Sequence, residues 1–199
     1  MLEEEKLRVL LVDDVPFVRT GIRAFLGQVS DLHVVGEADN GADAINAANE
    51  LDPDIILMDV EMPVMDGIAA SRRLRTKGSR AKIVMLTSHD SEGEILASFA
   101  AGADGYVLKE DYIETLEMAI RTVGLGAVWL DPAVAHRVLQ CATVHAEESA
   151  GRTMAVDPLT KEEIATLERI ARGKCKDKNC LIDREFVEKL HRFAPVRST

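Results

Sequence analysis

The first 125 residues alternate between two hydrophobic periods. Short apolar, β-branched runs fall at 8–12 (RVLLV), 33–38 (HVVGEA), 54–59 (DIILMD), 82–87 (KIVMLT) and 106–109 (YVLK). They are almost wholly apolar rather than alternating, which is the pattern of strands covered on both faces. Between them the period lengthens to that of a helix. Val18, Ile22, Phe25 and Leu26 share one face, as do Ile68, Ser71 and Leu74, and again Ile113, Leu116, Ile120 and Val123. Pro16 suits a first helical turn and Asp66 suits an N-cap. Five strand–helix units of this kind predict an α/β fold with a five-stranded, doubly wound parallel sheet over residues 1–126.

Beyond that point the strand pattern stops, and the rest predicts a small all-α C-terminal region. A linker helix is expected within 127–142, starting near Pro132, and the aperiodic stretch 143–157 reads as a linker. The last part, 158–199, opens on a well-marked helix. Thr160 and Glu163 have the spacing of a capping box, Ile164, Leu167, Ile170 and Ala171 form one apolar face, and Gly173 is a natural stop. A second amphipathic helix is expected from Asp183, with Phe186, Val187, Leu190 and Phe193 on its apolar side.

Charge divides the chain in the same place. Residues 1–130 hold 23 Asp and Glu against 12 Lys and Arg, whereas residues 131–199 hold 11 against 12. An acidic front part does not attract nucleic acid, so any DNA contact must come from the back part. The acidic start MLEEEKLR lacks the apolar core of a secretory signal. No run approaches the roughly 20 apolar residues of a membrane span. Three cysteines, an odd number, argue against a disulfide framework, and a reducing cytoplasm is expected.

The chemistry lies at the strand ends. Asp13 and Asp14 follow the first strand and Asp59 ends the third. In a parallel sheet these ends share one edge, where open α/β folds place their ligands. Three converging carboxylates either raise a pKa or recruit a cation, and an all-oxygen set favours a hard ion such as Mg²⁺. Thr87 and Lys109 finish the fourth and fifth strands at the same edge, adding a hydroxyl and a fixed positive charge. Nucleophile, cation site, ammonium and hydroxyl together are what a carboxylate needs to accept a phosphoryl group.

The segments LLVDD, LMDVEMPVMDG, MLTS and GADGYVLK, in that order and spacing, resemble the receiver domain of two-component response regulators, a flavodoxin-like fold, over roughly residues 7–125. The resemblance implies a role for each residue. Asp59 would be the phosphoacceptor, charged by a histidine kinase. Asp14 would ligate Mg²⁺ directly, Asp13 mostly through water, and the backbone carbonyl of Glu61 would complete the metal site together with Asp59. Lys109 would pair with the phosphoryl group, Thr87 would swing in to hydrogen-bond it, and Tyr106 would follow inward as the switch aromatic. Glu61 and His89 hold positions that tune the lifetime of the aspartyl phosphate. The face made by helix 4, strand 5 and helix 5 would mediate homodimerisation on phosphorylation. One departure from the family is Glu110, where many receivers carry Pro after the lysine.

LTKEEIATLERIARGK resembles the first helix of the LuxR-type output domain, and GLGAVWLDPAVAHRVL resembles that subfamily's linker helix. A DNA-reading helix should follow. Instead CKDKNC intervenes, and the visible residues supply no reader of base edges. The output region therefore reads as a partial LuxR-type domain, and DNA binding by this chain is left open. Cys175 and Cys180 have no nearby partners to complete a zinc set and read as ordinary thiols. The first functional reading is a transcriptional response regulator. The alternative is a receiver acting through protein contacts or as a phosphate sink. A Mg²⁺-dependent aspartyl phosphatase is disfavoured, because DDVP lacks the D-x-D pattern after the first strand.

Overall fold

The protein is described as a computed structural model for residues 6–88, 92–109, 112–149 and 159–173, and at Ile182, Glu185, Phe186 and Lys189. His89, Glu110, Cys175, Cys180, Asp183, Val187, Leu190 and Phe193 lie outside the described residues. Five strands alternate with five helices through Gly124: β1 (Leu7–Val12), α1 (Pro16–Leu26), β2 (Leu32–Ala38), α2 (Gly41–Leu51), β3 (Ile55–Asp59), α3 (Gly67–Thr76), β4 (Lys82–Thr87), α4 (Glu92–Ala100), β5 (Gly105–Leu108) and α5 (Tyr112–Gly124); a sixth strand, β6 (Trp129–Leu130), follows. Two helices complete the chain as described, α6 (Pro132–Ser149) and α7 (Lys161–Ala171).

The strands form one parallel sheet in the order β2-β1-β3-β4-β5-β6. Their continuous apolar runs divide by period two between two cores. Leu10, Val12, Ile56, Met58, Ile83, Met85 and Tyr106 face one side, and Val9, Leu11, Ile55, Leu57, Val84, Leu86 and Val107 face the other. Ile22 and Leu26 of α1 and Leu116, Ile120 and Val123 of α5 close the second core. Ile45, Leu74 and Phe99 of α2, α3 and α4 close the first. Burying both faces explains why the central strands β1, β3 and β4 show no polar alternation.

The sheet differs from expectation at one edge. It has six strands rather than five, because Trp129 and Leu130 pair in parallel with Gly105 and Tyr106. Two residues are too few to show a period, so only the tertiary pairing reveals this strand. Val128 adds an antiparallel bridge to Ile182, its N–H donating to the Ile182 carbonyl at 3.0 Å. The helix after β6 starts at Pro132 as expected but runs on to Ser149, into the stretch read as linker.

The helix α7 forms as its sequence dictates. The Thr160 hydroxyl accepts from the Glu163 N–H, and the Glu163 carboxylate accepts from the Thr160 N–H at 2.6 Å, completing the capping box. Its apolar face does not pack in isolation. Leu167 and Ile170, with Leu159, Ile182 and Phe186, belong to the same core as Tyr106, Leu130 and Val134. Lys189 reaches back to Glu163 at 2.8 Å. Despite its burial, Glu163 has a lowered pKa, because Lys189 and the Thr160 N–H favour the carboxylate.

Candidate phosphoacceptor and metal site

Chain order places β2 and β3 on opposite sides of β1, so the sheet has its topological switch point between β1 and β3. Asp13, Asp14 and Asp59 meet there, each with a carboxylate oxygen within 4.8 Å of the others. Asp59 ends β3 and is 5 % exposed, Asp13 is fully buried, and Asp14 opens to solvent.

Lys109 joins the two buried acids. Its Nζ donates to Asp13 Oδ2 at 2.7 Å and pairs with Asp59 Oδ2 at 2.9 Å. Burial works against the ammonium, yet hydrogen bonds to the two carboxylates outweigh it and hold the Lys109 pKa above its usual value. The pKa of Asp59 is also raised. Burial is the main cause, with the Asp13 charge adding to it, while Lys109 and the Glu61 N–H oppose it.

The residue after the acid is shaped by a constraint the sequence carries openly. Gly67 follows the N-cap Asp66, whose carboxylate accepts from the Ala69 N–H at 2.6 Å. A Cβ on Gly67 would stand 2.1 Å from the Asp59 carbonyl, so α3 can start against the end of β3 only with glycine there. Val64, in the intervening loop, has a φ of 67° and is 88 % exposed. That left-handed conformation is costly for a β-branched residue.

Thr87 is buried at the end of β4, and its carbonyl accepts from the Lys109 N–H at 2.7 Å. Strand pairing thus brings Thr87 and Lys109 to one edge, with the Lys109 ammonium against Asp59. Tyr106 is fully buried, its ring 6.2 Å from that of Phe99 and tilted by 36°. The aromatic is therefore already inward in this conformation. The Glu61 side chain is exposed, and its backbone N–H is what reaches Asp59.

Sequence reasoning missed Arg19 and Glu37. Arg19 Nη1 donates to the Asp13 carbonyl at 2.5 Å, and its Nε donates to Glu37 Oε2 at 3.2 Å. No motif marks Arg19, which reads as an ordinary polar position on the outer face of α1.

The donor set fits a hard divalent cation. All candidate ligands are oxygens, the cluster is carboxylate-rich, and the ammonium of Lys109 leaves the solvent side of Asp14 open. A buried carboxylate at the end of a central parallel strand, flanked by acids and a lysine, is an arrangement suited to a hard cation and to an anionic group beside it.

The comparisons agree. Residues 9–121 match the response regulator receiver domain family. The chain is 36% identical over 172 residues to the transcriptional regulatory protein YxjL of Bacillus subtilis, covering 86% of this chain and 78% of that one. It is 39% identical over 168 residues to the transcriptional regulatory protein LiaR of the same organism, covering 84% and 78%. A LuxR-family two-component response regulator from Aurantimonas superposes with a TM-score of 0.65 at 34% identity, covering 73% of this chain and 99% of that one. The chain belongs to the response regulator receiver family, and within it to the LuxR-type response regulators of two-component systems.

Proposed function

We propose that Asp59 accepts a phosphoryl group from the phosphohistidine of a histidine kinase. One Asp59 oxygen attacks phosphorus, a P–O bond forms, and the P–N bond to the imidazole breaks. Lys109 offers its Nζ protons to the incoming phosphoryl oxygens, and the Thr87 hydroxyl would donate to one of them. Asp14, Asp59 and the Glu61 carbonyl would hold Mg²⁺, with Asp13 supporting it through water, and the ion would neutralise charge on the phosphoryl oxygens. The observation that carries this reading is the Lys109 bridge between Asp13 and Asp59 beside the open carboxylate of Asp14.

The output is transcriptional regulation, as in relatives named as transcriptional regulators, and those relatives do not favour the phosphate-sink alternative. Homodimerisation through α4, β5 and α5 would carry the signal onward. In this conformation β6 pairs with the edge of β5 at Gly105 and Tyr106, so an interface that uses this part of β5 requires β6 to lift. Tyr106 and Glu61 would act as the switch and the tuning residue of the same site, with His89 as a second tuning position.

The test is incubation with a small-molecule phosphodonor and Mg²⁺, read by intact mass. We expect one base-labile phosphoryl adduct, lost in Asp59→Asn and without Mg²⁺. An adduct that survives in Asp59→Asn would place the acceptor elsewhere.

A further inference from the structure

We propose that Arg19 is a positioning residue for the metal-binding carboxylates, acting through the peptide that joins Asp13 to Asp14. That peptide is planar, so the direction of the Asp13 carbonyl fixes the direction of the Asp14 N–H and the path of the chain into Asp14. The Asp13 carbonyl accepts from Arg19 Nη1 at 2.5 Å. Every other polar group of Asp13 is also held. Its N–H donates to the Ala38 carbonyl at 3.1 Å, Oδ1 accepts from the Val15 N–H at 2.8 Å, and Oδ2 accepts from Lys109 at 2.7 Å. Among the described residues, Arg19 is thus the side chain that holds the peptide itself, rather than the carboxylate.

The guanidinium is anchored in turn. Its Nε donates to Glu37 Oε2, and Arg23 takes Glu37 Oε1 at 3.0 Å. Glu37 stands on β2 opposite Leu11 of β1, so the support belongs to the sheet and not to a loop. The Arg19 side chain is 17 % exposed, enough burial for its planar fork to hold one geometry.

Two physical effects of Arg19 on a bound cation have opposite signs. As a charge it repels Mg²⁺, so removing it should tighten binding. As a clamp it orients the acid pair, so removing it should weaken binding. Glu37, shared with Arg23, offsets part of the guanidinium charge, and Arg19→Lys isolates the clamp because it keeps that charge.

The proposal rests on the carboxylate site taking Mg²⁺, and the experiment separates the two. Mg²⁺ is titrated calorimetrically into the unphosphorylated full chain and into Arg19→Lys and Arg19→Gln, with folding checked by circular dichroism. Lysine keeps the charge and loses the fork, whereas glutamine loses both. Both variants are expected to bind Mg²⁺ about tenfold more weakly, the scale seen when a group orienting a metal ligand is lost. Phosphorylation by a small-molecule donor should slow at low Mg²⁺ and recover at saturating Mg²⁺, which a general loss of structure would not allow. Tighter binding in Arg19→Gln with unchanged binding in Arg19→Lys would overturn the clamp in favour of charge. Unchanged binding in both, or in Arg19→Lys alone if the glutamine variant does not fold, would overturn it altogether. Absence of Mg²⁺ binding in the unsubstituted chain would instead refute the metal site itself.

Discussion

Asp59 carries opposing demands. It is buried beside a second acid, which raises its pKa, yet phosphoryl acceptance requires the ionised form. A carboxylate whose folded pKa lies above its unfolded value binds its proton more tightly in the native state. Stability therefore falls as pH rises from the ordinary carboxylate range through the raised value, and the loss persists at neutral pH. Asp59→Asn removes that titration while Lys109 keeps its bond to Asp13. Without Mg²⁺ we expect the variant to be more stable than the unsubstituted chain by about 1 kcal/mol at neutral pH, in the range typical of relieving functional strain. The difference should vanish below the ordinary carboxylate range, and Mg²⁺ should stabilise only the unsubstituted chain. Urea denaturation across pH, with and without the ion, checks both signs.

At the scale of elements, the loop between β3 and α3 and the helix α7 show local rules met and broken. Val64 breaks one, holding φ at 67° with its side chain in solvent. Val64→Gly should raise stability by about 0.5–1 kcal/mol, because the left-handed conformation is penalised for valine and easy for glycine, the difference being reduced by glycine's larger unfolded-state entropy. A higher urea midpoint at unchanged slope is the expected result. Thr160 meets the rule at the start of α7, and Thr160→Ala should cost about 1 kcal/mol. Because Leu167 and Ile170 sit in the receiver's own core, that cost should appear in the single unfolding transition of the whole chain and not as separate melting of the C-terminal part. A second, earlier transition confined to α7 would refute this coupling.

At the scale of the molecule, the outer edge of β5 bears on the proposed dimerisation. The Trp129 N–H donates to the Asp104 carbonyl at 3.1 Å and the Asp131 N–H to the Tyr106 carbonyl at 3.3 Å, so β6 lies along the edge of β5 at Gly105 and Tyr106. Leu130 and Val134 belong to the same buried core as Tyr106, and α7 packs against α6. If phosphorylation drives dimerisation through α4, β5 and α5, the amides of Trp129 and Asp131 should be protected from hydrogen exchange in the unphosphorylated chain and lose protection on phosphorylation. Dimers that form with those amides still protected would place the interface on another face.

The sequence by itself determined most of the front part, because continuous apolar runs ending in Asp13, Asp14, Asp59, Thr87 and Lys109 leave a buried parallel sheet few other arrangements. The chemistry was legible there because parallel strands bring residues distant in the chain to one edge by rule. The capping box of α7 was equally legible, since Thr160 and Glu163 act within one turn. Tertiary structure alone decided the rest. The strand β6 has two residues and no period of its own, and only pairing with β5 makes it a strand. Arg19 reads as a polar position on a helix, and only the approach of α1 to the Asp13 carbonyl and Glu37 gives it a place at the site. The apolar face of α7 was visible, but a helix face does not name what covers it. That was settled by long-range packing against α6 and into the core that also holds Leu130 and Val134, which no local pattern encodes.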